Sequence, residues 1–84
     1  MMEYGDLFNY AVATELRAQR ARVRITYDAL VQETGLAKST LVNYLEGRRP
    51  IPLSAFAEIC RALRADQREV FTAAQQSIEQ ADRL

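Results

Sequence analysis

Histidine and tryptophan are absent from this 84-residue chain, cysteine occurs once, proline twice and glycine three times. With no imidazole and Cys60 as the single thiol, none of the common zinc ligand sets can be assembled, so no metal is expected. One cysteine also forms no intramolecular disulfide, as suits a reducing compartment. No nucleophile–base pair and no glycine-rich phosphate loop occurs, and the chain is read as a non-enzyme that uses no cofactor. The sequence opens on no basic-then-apolar leader, and no apolar run approaches the roughly 18 to 20 residues that cross a bilayer. A cytoplasmic, non-membrane protein is the expectation. A chain this short buries only about 60 to 65% of its unfolded surface, which leaves room for one core and a single domain over residues 1–84.

Net charge is also lacking, since 11 Lys and Arg balance 11 Asp and Glu. That argues against an indiscriminate polyanion binder. The average conceals a regional excess. Residues 17–49 carry Arg17, Arg20, Arg22, Arg24, Lys38, Arg48 and Arg49 against Asp28, Glu33 and Glu46, a net of +4. A solvated face is the plain explanation of such a block, and a polyanion-facing surface is the functional one.

Strand signals are nearly missing, whereas Ala, Leu, Arg, Gln and Glu dominate, so the fold class is all-α with five helices. The first is expected after Gly5-Asp6, with Asp6 as cap and Leu7, Phe8, Ala11, Val12 and Leu16 at helical spacing, ending near Arg22. If that helix persists, Arg17, Arg20 and Arg24 share a stripe and Arg22 points elsewhere. The second has Thr26 as N-cap, Asp28 in its first turn and Gly35 just past its end. The third spans about Lys38 to Glu46 and is closed by Gly47. Two prolines in Gly47-Arg48-Arg49-Pro50-Ile51-Pro52 forbid helix and mark the longest loop. A fourth helix from about Leu53 presents Phe56, Ile59, Cys60 and Leu63 on one face, with Cys60 as a small buried hydrophobe. The fifth covers 66–84, opening on Asp66 and Glu69 in capping-box spacing. Its Val70, Phe71, Ala74, Ile78 and Ala81 fit either packing on helix one through Phe8 and Val12 or a seam with a second copy. Ile78 and Leu84 are the candidates for a dimer or onward contact.

The informative stretch is 27–47, YDALVQETGLAKSTLVNYLEG. Its two short helices are joined by Gly35-Leu36-Ala37, too little chain for antiparallel packing, so the second crosses the first as in a helix-turn-helix. Leu30, Val31, Thr34, Leu36, Leu41 and Tyr44 fall toward the core, while Lys38, Ser39, Val42, Asn43 and Glu46 fall on the outer side of the third helix.

At Gly35-Leu36, Ser39-Thr40-Leu41, Tyr44 and Gly47, and again at Ile59-Cys60-Arg61-Ala62-Leu63, the chain resembles the lambda-repressor and Cro-like helix-turn-helix family, the XRE family. The resemblance covers about residues 8–72. It implies a five-helix DNA-binding domain, usually of a dimeric bacterial or phage transcriptional regulator. Four positions depart from the family pattern. Val31 replaces a common Ala, Ala37 a polar cap, Tyr27 a backbone-binding Gln, and Glu46 an amide or basic residue. Ala is a poor N-cap, so fraying is expected at the start of the third helix. Glu46 would repel phosphates unless it pairs with Arg48 or Arg49 or accepts from a cytosine amino group.

Base readout in a major groove needs donors and acceptors on the first turns of the inserted helix. Lys38 can reach guanine acceptors or phosphate, Asn43 an adenine edge, Ser39 either kind of partner, and Val42 a thymine methyl. Phosphate contacts are assigned to Thr26, Tyr27, Thr40, Arg17, Arg24, Arg48 and Arg49. For Arg17 a salt bridge or solvated stem is the competing role. The partner is double-stranded DNA, with a homodimer on a palindromic operator. The alternative is a helical protein-interaction module, an antitoxin or adaptor that keeps the fold without specific readout, and the zero net charge is its support.

Overall fold

The computed structural model describes residues 2–82, and every regular element among them is an α-helix. In chain order these are α1 (Tyr4–Val23), α2 (Tyr27–Thr34), α3 (Lys38–Leu45), α4 (Leu53–Leu63) and α5 (Gln67–Asp82). The first helix starts earlier than Asp6 would allow as a cap. Glu3 takes the extended N-cap conformation, and the Leu7 amide already donates to the Glu3 carbonyl at 3.0 Å. Asp6 therefore sits inside the first turn, where its charge complements the helix dipole.

Three of the helices end in left-handed turns of one kind, with two different residue types. Past α1, Arg24 has φ 58°, its amide donates to the Ala21 carbonyl at 3.3 Å, and the Ile25 amide donates to the Arg20 carbonyl at 3.2 Å. Past α4, Arg64 has φ 56° with the corresponding bonds to Arg61 and Cys60. Past α3, Gly47 adopts φ 74°. This paired-bond closure usually recruits glycine, because a Cβ in the left-handed region costs about 1 to 2 kcal/mol. Ile25 and Ala65, the residues after each arginine, pack against the core and help hold the strained turns. The expected stripe of Arg17, Arg20 and Arg24 is thus broken, since Arg24 lies beyond the helix.

Leu16, Leu30, Leu41, Leu45, Ile59, Cys60 and Leu63 are the largest fully buried side chains. Burying each aliphatic side chain of this size contributes roughly 1.5 to 3 kcal/mol. α5 lies along α1, α2 touches α3 and α4, and α1 also reaches α3 and α4. The rings of Phe56 and Phe71 stack at 4.7 Å, and Phe8 meets Phe71 at 5.6 Å. Packing on α1 is therefore what Phe71 does. Ile78 is half-buried against the same core, beside Leu7, Tyr10 and Ala11, so it is not a bare surface residue. Leu84 lies outside the described residues. Burial pushes the Cys60 thiol up to about 11, with the Asp66 charge adding to the effect, so it remains a neutral thiol in the core.

Candidate nucleic-acid interface

Local chemistry builds α2 and the turn after it. The Thr26 hydroxyl oxygen accepts from the Ala29 amide at 3.1 Å, satisfying one first-turn donor. At the other end Gly35 has φ 73°, and its amide donates to the Val31 carbonyl at 2.9 Å. The Thr34 hydroxyl donates to the Leu30 carbonyl at 2.7 Å and accepts from the Leu36 amide at 3.2 Å, which ties the turn on both sides. Leu36 can then pack on the core and launch α3 in a fixed direction.

No side chain caps α3, because Ala37 has no oxygen to accept with. Regular helix nevertheless begins at Lys38. Tertiary packing outweighs the missing cap: Leu41 and Leu45 are completely buried, and a helix of eight residues owes its stability to its buried face. Of the residues assigned to base contact, Lys38 and Ser39 are exposed, while Val42 and Asn43 are half-buried on the flank of the helix. Thr40 is half-buried as well.

The end of α3 is fastened from several directions. The Gly47 amide donates to the Tyr44 carbonyl at 3.1 Å, and the Arg48 amide to the Asn43 carbonyl at 2.9 Å. A Cβ on Gly47 would lie 2.9 Å from the Tyr10 ring, so a side chain here would force that ring to shift as well as strain the left-handed backbone. From α1, the Arg17 guanidinium donates to the Leu45 carbonyl, one of the terminal acceptors of α3. Its Nη1 also lies 3.9 Å from the Glu46 carboxylate, and its guanidinium 5.9 Å from the centre of the Tyr10 ring. Glu46 is thus neighboured by Arg17, not by Arg48 or Arg49 as the sequence suggested. The left-handed turn at Gly47 carries those two arginines onward into the loop, and α1 runs past the carboxylate instead.

The seven basic residues of the 17–49 block accordingly divide into two groups. Arg17 is occupied at the end of α3. The Arg20 guanidinium lies 4.5 Å from the centre of the Tyr27 ring and donates to the Ile25 carbonyl at 3.0 Å, joining α1 to the start of α2. Arg22 donates to Gln19 at 3.1 Å. Lys38 Nζ lies 3.1 Å from Asp28, a pair with side-chain exposures of 60% and 82%, so water weakens it. It places the first residue of α3 beside the turn that bears Thr26 and Tyr27. Arg24, Arg48 and Arg49 are exposed and form no side-chain hydrogen bond or ion pair among the described residues. Tyr27 is half-buried against the core beneath Arg20, and Thr26 is exposed.

Two residues that sequence reasoning left aside complete the site. Tyr10 occupies the space beside Gly47. Asn9 donates from Nδ2 to the Arg49 carbonyl at 3.2 Å and accepts at Oδ1 from the Ile51 amide at 2.9 Å. Both are surface-facing positions of α1 that no helical periodicity singles out. Gly47 was the only signal, since a glycine after a helix implies a crowded or left-handed position without saying what crowds it.

Residues 11–71 match a family model described as Helix-turn-helix domain. The match runs from α1 through α2, α3 and the loop after α3 to Phe71 in α5. The chain belongs to the helix-turn-helix domain family. This family lies in the lambda-repressor/Cro-like (XRE) group, the one that the sequence resembles. No curated protein and no solved structure matches the chain. The helix-turn-helix domain is a DNA-binding unit. Among the described residues no helix is long and apolar enough to cross a membrane, and no cluster of three or more His, Cys, Asp or Glu is placed to hold a metal ion.

Proposed function

We propose that this helix-turn-helix domain is a sequence-specific transcriptional regulator of the repressor or Cro-like kind, from a bacterium or phage, that reads the major groove of double-stranded DNA with α3. The observation that carries this reading is the division of α3 into a buried side, Leu41 and Leu45, and an outer side led by exposed Lys38 and Ser39. A short helix held from beneath with polar groups outward suits groove insertion. Lys38, Ser39, Val42 and Asn43 meet base edges, with Lys38 exchanging Asp28 for guanine acceptors or a phosphate. Thr26, Tyr27, Thr40, Arg24, Arg48 and Arg49 meet the sugar-phosphate backbone. Arg17 contributes to the backbone field from its place under the end of α3. The regulator works in the cytoplasm as a homodimer on a palindromic operator, with half-sites about 34 Å apart or a multiple of it. Ile78, on the flank of α5, is the candidate seam residue.

Selection of bound sequences from a random duplex pool tests the proposal. A palindromic consensus is the expected result; recovery of no consensus contradicts specific readout. Asn43→Ala should then cost on the order of 1 to 3 kcal/mol at the selected site and relax the preference there. Arg49→Ala should weaken binding to selected and scrambled duplexes alike. Equal behaviour of the two variants on both duplexes would overturn the division into base readers and phosphate anchors.

The second reading is a protein-interaction module, an antitoxin or adaptor. It is favoured by the internal partners of Arg17, Arg20, Arg22 and Lys38, which leave fewer cations for a polyanion than the sequence offers.

A further inference from the structure

The loop after α3 contains two prolines within Gly47–Pro52, yet its backbone is not left to proline stiffness alone. Residues preceding proline favour extended geometry, so Arg49 and Ile51 are both biased that way. In an extended chain, the carbonyl of one residue and the amide two residues later face the same edge. The Arg49 carbonyl and the Ile51 amide have that relation, and Pro50 between them has no amide to offer. The Asn9 carboxamide spans both, donating to the first at 3.2 Å and accepting from the second at 2.9 Å. One side chain thereby fixes the peptide that carries Arg49 to α1, 40 residues away in sequence. Tyr10 beside Gly47 and Arg17 on the Leu45 carbonyl fasten the preceding residues to the same helix. Asn9 also lies outside the 11–71 stretch that matches the family, so this fastening is a feature of the chain beyond that match.

We infer that Asn9 is a positioning residue for DNA binding: its carboxamide sets the direction in which Arg48 and Arg49 leave the loop, and so presents them ready-aligned to the phosphates beside the groove that α3 enters. The inference rests on the proposed reading of those arginines as phosphate anchors. A loop ordered before binding loses less conformational freedom on the complex than one ordered by it. Asn9 needs no contact with DNA for this.

A double-mutant cycle on duplex binding tests it, with thermal melting of every variant and amide exchange at Ile51 as companion readouts. Asn9→Ala is expected to weaken binding about threefold to tenfold in the parent chain. In the Arg48→Ala/Arg49→Ala background it should have almost no further effect, whereas beside Arg24→Ala the two losses should multiply. Exchange at the Ile51 amide should accelerate in Asn9→Ala while the core amides stay protected. A purely structural role would lower melting temperature and weaken binding equally in all backgrounds, and that outcome overturns the inference. So does parent-like binding by Asn9→Ala in a chain whose Arg49→Ala variant binds weakly. If the parent chain binds no duplex, the DNA-binding reading itself fails, and the positioning role falls with it.

Discussion

The two ends of α3 are held by opposite means. At its start Ala37 supplies no cap, Lys38 and Ser39 stand in solvent, and Lys38 makes an exposed ion pair with Asp28. At its end a left-handed glycine, the Arg17 guanidinium, the Tyr10 ring and the Asn9 carboxamide all converge, and all but the glycine come from α1. The difference is physically sensible for a helix whose first turn is to enter a groove. Groups left without protein partners at the start remain available to bases and phosphates, while fastening the far end to the largest helix of the scaffold keeps the whole rod in register.

The largest expected effect breaks the fastened end. Gly47→Ala places a methyl group in the left-handed region and against the Tyr10 ring, and should destabilise the domain by about 1 to 3 kcal/mol. Gly35→Ala is the control, because its Cβ would meet nothing within 4 Å and only the backbone conformation is penalised, at about 1 kcal/mol. Denaturant titration of both variants should rank them in that order. Equal losses would show that the Tyr10 contact adds nothing.

A smaller effect is expected at the uncapped start of α3. Ala37→Ser supplies the absent cap and should stabilise the domain by about 0.5 to 1 kcal/mol in the same titration. The smallest concerns the exposed ion pair. Asp28→Asn should shift stability by less than about 0.5 kcal/mol, yet raise duplex affinity at low salt about twofold to threefold, since it releases Lys38 and removes a negative charge beside it. Fluorescence anisotropy with a labelled random duplex reads this directly. Unchanged affinity would mean that the Lys38–Asp28 pair does not compete with DNA.

What could be read from the sequence was what local chemistry decides. Thr26, Gly35 and Gly47 punctuate α2 and α3 with residues whose physical reasons act within four positions, and the structure closes both helices there. Thr26 and Asp66 cap as expected, the latter accepting from the Arg68 and Glu69 amides at 2.8 and 3.2 Å. α1 ends within one residue of the Arg22 that spacing suggested, but the left-handed turns at Arg24 and Arg64 were not foreseen, because residue type argues against that conformation. The start of α1 was misplaced because Asp6, a good cap by type, had no role as one. Hardest of all were the contacts of Asn9, Tyr10 and Arg17 with the end of α3 and the loop that follows it, which join residues 28 to 42 positions apart. A pattern of spacing along one helix carries no information about such partners. The regional charge was legible, but the division between occupied and outward cations was not, since it depends on these same distant contacts.

If the outer side of α3 and the outward arginines meet the backbone of duplex DNA, binding to a random duplex depends on salt. With Arg24, Arg48 and Arg49 as the principal phosphate cations, log K should fall linearly with log salt at a slope of about −3 per protomer, and Arg49→Ala should reduce that slope by about one. A flat response, or a slope that Arg49→Ala leaves unchanged, would contradict the account.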